Sequence, residues 1–250
     1  PMAPRKKTYK QNHGKRLYDF YSWMEQKKLP AVKKYLIDEN HYTEAMMAPS
    51  KRLQKKIYDE IINRIEEDDS DVPYRHGDFV YYRRSKKGKD YKIYSRRHHS
   101  QRHEKVILDC NQLSKGKNFL AIGLMSISPS QKLLAYTLDF TGFREYDLYI
   151  TDMITGRTMK KLVQRIRSFA WAGDSQKFFY VTEDSTKRAS TVWRSSIADY
   201  SNVEQIFQEK DKRFSVNVQL SRSREMIFIT SSSATATEVR YLPANNPLGT

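Results

Sequence analysis

The sequence predicts a mainly β fold, a partial β-propeller of three to four blades preceded by a helical segment. Three observations carry this. Composition changes near residue 72, from helix formers to a stretch rich in Tyr, Phe, Val, Thr and Ser. Beyond that point three similar apolar runs recur, their starts 45 and 48 residues apart. Around each run four short strand candidates can be placed, and four antiparallel strands per repeat of this length is the arithmetic of a propeller blade.

In residues 1–71 the periodicity is helical. Leu29 and Pro30 introduce a segment with Val32, Tyr35, Leu36 and Tyr42 at helical spacing. A second helix is predicted from Leu53, Ile57, Tyr58, Ile61, Ile62 and Ile65, which fall on one face. Ser50 is its expected N-cap, and its expected end is near Glu67, before Val72-Pro73, where proline turns the preceding residue away from helix.

In residues 72–250 the repeated runs are Leu133 to Tyr136, Phe178 to Val181 and Met226 to Ile229. Each follows a polar turn, at Ser128 to Lys132, Gly173 to Lys177 and Ser221 to Glu225, and upstream lies a first strand, clearest in Phe169-Ala170-Trp171. Third strands follow at Asp147 to Asp152, Thr191 to Arg194 and Glu238 to Leu242. An earlier copy has Phe79 to Tyr82 and then Tyr91 to Tyr94. Fourth strands are expected at Lys105 to Leu108, Met159 to Val163 and Val203 to Phe207, with Thr155-Gly156-Arg157 giving the glycine of a tight hairpin. A β-sandwich also offers short strands and regular turns, but the recurring four-strand phase favours the propeller. The last copy stops after its third strand. An open inter-blade face would expose about five large apolar side chains, ~7–15 kcal/mol, so these residues are expected to be the first part of a longer propeller.

Charge and residue usage bound the function. Lys plus Arg is 45 against 29 Asp plus Glu, a formal charge of +16, which invites a nucleic-acid or anionic partner. Cys110 is alone, so an internal disulfide framework is excluded and a reducing, cytoplasmic setting is expected. Residues Pro1 to Lys10 lack the apolar core of a signal peptide, and no apolar run approaches the roughly 18 residues a membrane span needs. None of the nine glycines is two or four residues from another, which excludes the Gly-x-Gly dinucleotide fingerprint and the Gly-x-Ser-x-Gly nucleophile elbow. Gly116-Lys117-Asn118 is no phosphate loop either.

Candidate sites each have a simpler structural explanation. His98, His99 and His103 form the histidine cluster, but Arg96, Arg97 and Arg102 beside them would repel a divalent cation, so a solvated connection is expected. Residues 71–120 hold 13 Lys or Arg against 5 Asp or Glu, interleaved with Tyr81, Tyr82, Tyr91 and Tyr94. That could mimic a single-strand nucleic-acid groove, yet tyrosine inward and basic residues outward is what a blade needs, and nucleic acid is not the expected partner. The run Glu66 to Asp69 points around a helix end rather than across a substrate. Trp171 and Trp193 fall in repeated strand positions and are expected in the core, while Ser128, Ser175 and Ser221 occupy turns without an activating histidine.

Several ordered stretches resemble the prolyl oligopeptidase family of serine peptidases, and oligopeptidase B within it. They are Tyr18 to Met24, Tyr35 to Tyr42, Arg64 to Arg75, Tyr81 to Arg84, Gly88 to Arg97 and Asp139 to Leu148. The tyrosine- and arginine-rich first blade is what favours oligopeptidase B. The resemblance implies that residues 1–71 pack on an α/β-hydrolase domain and that 72–250 are the first half of a seven-bladed propeller. It also implies that the Ser, Asp and His of the triad follow the propeller. No catalytic, cofactor-binding or metal-ligating residue is therefore assigned here, and no cofactor. The implied substrates are short peptides cut after Arg or Lys, with the propeller gating access, and the implied partner is the C-terminal hydrolase domain. A catalytically inactive interaction module is the alternative. The +16 charge is the awkward feature, since a basic propeller repels basic peptides.

Overall fold

The structure is a computed structural model that describes residues 1–249, with only the backbone of residues 160–162. The chain divides into two compact units, Pro1–Glu66 and Glu67–Thr250. The first opens with a hairpin, β1 Thr8–Asn12 and β2 Lys15–Asp19, joined by His13-Gly14 with φ of 48° and 77°. Two successive positive φ values make the twist-matched hairpin turn, which glycine adopts without a Cβ penalty. Helices α1 Pro30–Met47 and α2 Lys51–Ile62 follow, linked by one tight turn, Ala48–Ser50. Pro30 is favoured at the start of α1 because the missing N–H there has no intrahelical partner. Trp23 and Val32 are buried, with Tyr35 edge-on to Trp23 at 6.3 Å. Helix α2 buries none of its residues.

Two details of the second helix differ from expectation. Ser50 does not cap it: its φ and ψ are already helical, and its Oγ donates back to the Met47 carbonyl at 2.8 Å. The helix also ends at Ile62 rather than near Glu67. Carboxylates are unfavourable at the negative end of a helix dipole. Here they bond elsewhere, Glu67 Oε2 accepting from Gly88 N at 3.1 Å and Asp68 Oδ1 from Lys87 N at 2.8 Å.

The second unit contains four antiparallel sheets, each a meander. The first comprises β3 Tyr74–His76, β4 Phe79–Arg84, β5 Ile93–His98 and β6 Lys105–Asp109, after which Cys110–Leu113 forms the short helix α3. The second holds β7 Ala121–Ile127, β8 Leu133–Asp139, β9 Asp147–Asp152 and β10 Thr158–Val163. The third is built from β11 Ile166–Trp171, β12 Lys177–Glu183, β13 Ala189–Ser196 and β14 Glu204–Gln208. The fourth contains β15 Ser215–Leu220, β16 Met226–Ser232 and β17 Thr237–Pro243. First strands stand side by side, β11 between β7 and β15, as in a propeller where they surround the axis.

Sheets stack face to face, and strand alternation decides what each layer receives. On β8, Leu134, Tyr136 and Leu138 enter the layer shared with the first sheet, beside Leu108 and Cys110. Ala135 points the other way, into a layer with Trp171, Phe178 and Tyr180. On β12, Phe179 and Val181 turn to the fourth sheet and meet Val218, Ile227 and Ile229. Strands covered on both faces therefore read as unbroken apolar runs. Among the described residues no layer covers the outer face of the fourth sheet: Phe228 is half-buried, and Tyr241, its partner across the ladder, is 67% exposed.

Strand phase also refines the repeat. Second strands begin at Leu133, Lys177 and Met226, steps of 44 and 49 rather than 45 and 48. The turn geometry fixes this register, because Ser128, Ala172 and Ser221 each donate N–H to the carbonyl five residues on. Gln131, Ser175 and Arg224 then take equivalent positive-φ positions. In the first sheet the third strand begins at Ile93, two residues after the expected Tyr91. Tyr91 instead donates its N–H to Asn111 Oδ1 at 3.1 Å.

Phe178 is fully buried between two sheets and Phe228 lies on the open face. Phe178→Ala is expected to cost ~3–5 kcal/mol and Phe228→Ala less than about 1.5 kcal/mol, read as shifts in urea unfolding midpoints. Equal costs would contradict the layer assignment.

Candidate functional site

A cavity of about 690 Å³ lies where the first, second and fourth sheets converge. Tyr74, His76, Tyr81, Tyr82 and Ser95 line it from the first sheet, Met125 to Ile127 from the end of β7, and Leu220, Ser221, Arg222 and Arg224 from the end of β15 and the turn after it. Neighbouring turns are tied together at this end. Ser130 N donates to Ser175 Oγ at 2.9 Å and Gly173 N to the Ala244 carbonyl at 2.7 Å. Gln131 lies so close over Gly77 that any side chain at that position would collide with its amide. Gly77 also has φ +58°, so two constraints meet in one residue.

Behind the cavity wall sits a buried cation. Arg96, on β5, is 4% exposed; its Nη1 donates to the Gln131 carbonyl at 2.5 Å, and its guanidinium lies 4.1 Å over the Phe79 ring. Tyr81, 3% exposed, stacks on Tyr74 at 5.7 Å. The Tyr81 hydroxyl, Arg96 Nε, His76 Nε2 and Gln131 Oε1 are all buried without a hydrogen-bond partner. Burial raises the Tyr81 phenol, with Arg96 and Arg224 opposing, and burial and then Arg224 lower the His76 imidazolium.

A second polar cluster borders the same wall. Glu104 accepts from Tyr82 OH at 2.5 Å, from Arg84 Nη2 at 3.0 Å and from Ser95 Oγ at 3.0 Å. Burial alone would raise the Glu104 carboxyl, but these hydrogen bonds outweigh it and hold it below the usual range. Tyr82 is pushed up to about 12, first by burial and then by donating to Glu104. The remaining acidic group of the wall, Asp71, pairs with Arg83.

The structure disperses the residues singled out in the sequence. His98 and His99 stack at 4.7 Å, and with Asp78 they bring one ligand atom each within 4.8 Å of the others, while His103 stays outside this group. His98 is the last residue of β5 and His99 follows it in the connection, and Ser100 Oγ lies 2.7 Å from His98 Nδ1. Glu67 and Asp68 hold the β4–β5 hairpin through its backbone amides. Trp171 is in the core, its Nε1 donating to the Ser126 carbonyl at 3.1 Å, and Trp193 Nε1 donates to Thr182 Oγ1 at 2.8 Å. Ser128 and Ser221 hydroxyls accept backbone N–H groups of their own turns. Tyr91 and Tyr94 pack against the core between the first two sheets, so they form no exposed stacking platform. Arg96, Glu104 and Gln131 had not been singled out. Their signal is three-dimensional: alternation along β5 distinguishes Arg96 from Arg97 only once the covering sheets are known.

Successive antiparallel meanders with their first strands adjacent define an N-terminal stretch of a β-propeller domain. The chain belongs to the prolyl oligopeptidase family: the family model described as "Prolyl oligopeptidase, N-terminal beta-propeller domain" matches residues 1–249. It is 31% identical to Protease 2 of Moraxella lacunata over 258 residues, covering 99% of this chain and 37% of that protein. Dipeptidyl aminopeptidase BI of Pseudoxanthomonas mexicana is also 31% identical, over 98% of this chain and 37% of its own length. The solved oligopeptidase B of Leishmania major superposes with a TM-score of 0.84 at 28% identity, covering 98% of this chain and 37% of that one. The chain thus spans little more than a third of the length of these relatives. No described helix is long and apolar enough to cross a membrane.

Glu104→Gln removes the charge that favours the protonated Tyr82 phenol. Tyr82 is then expected to titrate lower than about 12, read at 295 nm as a difference from Tyr82→Phe. An unchanged titration would mean that burial alone sets it.

Proposed function

We propose that this chain is the amino-terminal part of an oligopeptidase B-like serine endopeptidase that cleaves short peptides after Arg or Lys. In this reading residues 1–71 belong with a C-terminal hydrolase domain that carries the triad, and residues 72–250 are the first half of a propeller that gates substrate access. The observation that carries it is the family match across residues 1–249, combined with a chain that has no nucleophile elbow. Exposed apolar surfaces support it: Leu53, Ile57 and Ile61 on α2 and Val239 on β17 are about half exposed, and Tyr241 on β17 is more so. Such surfaces mark contact with another domain. A cytosolic setting agrees with the single cysteine, Cys110, buried with its thiol pushed up to about 12, first by burial and then by Asp109.

The 250-residue chain alone is expected to leave an Arg-containing model peptide uncut. Co-expression with a C-terminal hydrolase part is expected to restore cleavage after Arg or Lys. Ile61→Asp should weaken that rescue at least about tenfold by burying an unpaired charge in the interface. Cleavage by the chain alone, or rescue indifferent to Ile61→Asp, would contradict the assignment.

A further inference from the structure

We infer that the cavity between the first, second and fourth sheets is a carboxylate site that takes the C-terminal end of a short peptide, with Arg222 and Arg224 as its direct contacts and Tyr81 and Arg96 in the wall behind them. The inference concerns binding by this chain and does not depend on what reaction the longer relatives catalyse.

Charge is the first argument. Arg222 and Arg224 line the cavity, and neither has an acidic partner among the described residues, whereas the lining carboxylate of Asp71 is occupied by Arg83. Burial is the second. Arg96 lies behind Tyr81 of the wall, buried and with no counter-ion among the described residues. A buried cation without a counter-ion is costly, and its charge adds to that of the two lining arginines. A carboxylate is the acceptor-only group that suits such a set of cations.

The lining favours a peptide over a simple anion. Ile107, Met125, Ile127 and Leu220 add apolar lining, and about 690 Å³ falls within the range of small-ligand pockets. A basic cavity that repels the side chains of Arg and Lys peptides can still capture their free C-terminus.

Isothermal titration of the 250-residue chain with an N-acetylated, neutral tripeptide, its C-terminal amide and inorganic phosphate tests this. The acid is expected to bind at least about tenfold more tightly than the amide and more tightly than phosphate. Arg224→Gln, on an exposed turn, is expected to weaken the acid about tenfold while leaving the melting temperature unchanged. Arg222→Gln, on the same exposed turn, should weaken it about fivefold, again without loss of stability. No binding by the acid, equal binding of acid and amide, or indifference to Arg224→Gln overturns the carboxylate site. Phosphate matching the acid overturns its assignment to a peptide terminus.

Discussion

Burial of both faces of each interior sheet is the constraint on which the second unit depends. Leu134, Phe178, Phe179 and Ile227 are fully buried, and each owes that to a neighbouring sheet rather than to its own. At ~1.5–3 kcal/mol per large side chain, a layer of such residues rivals the stability of a whole domain. A single meander cannot supply this. The turns at Ser128, Ala172 and Ser221 hold successive sheets in the same phase, so the layers meet without a change of register.

Much of this was legible in the chain. Apolar runs separated by polar turns identify the second strands, and Asp147 to Asp152 corresponds to β9 residue for residue. What the sequence obscured was phase. Lys177 begins β12 although it reads as the end of a polar turn, because the strand is set by the Ala172–Lys177 hydrogen bond and not by hydrophobicity. The β1–β2 hairpin was also missed, since His13-Gly14 departs from the usual Asn-Gly signal and all of Thr8–Asn12 is exposed. The second helix was read five residues too long because its acidic tail continues a helix-forming composition while bonding to another hairpin.

The candidate site was less legible than the fold, for a related reason. Residues 71–120 are basic, and the sequence treats Arg83, Arg84, Arg96 and Arg97 alike. Folding sorts them. Arg83 pairs with Asp71, Arg84 with Glu104, and Arg96 is buried beneath Tyr81 and Gln131. Excess charge is thus partly spent inside the fold, and the surplus that reaches the cavity comes from Arg222 and Arg224, far along the chain.

Native-state hydrogen exchange of the 250-residue chain tests the central claim most directly, because it reads the opening free energy of each strand separately. If inter-sheet burial holds the unit together, amides of β8 and β12, covered on both faces, should exchange slowest, and those of β17, whose outward Tyr241 is uncovered, should exchange fastest among the ladder-bonded strands of the fourth sheet. Protection on β17 equal to that on β12 would contradict the claim, since the open face would then cost the fourth sheet nothing.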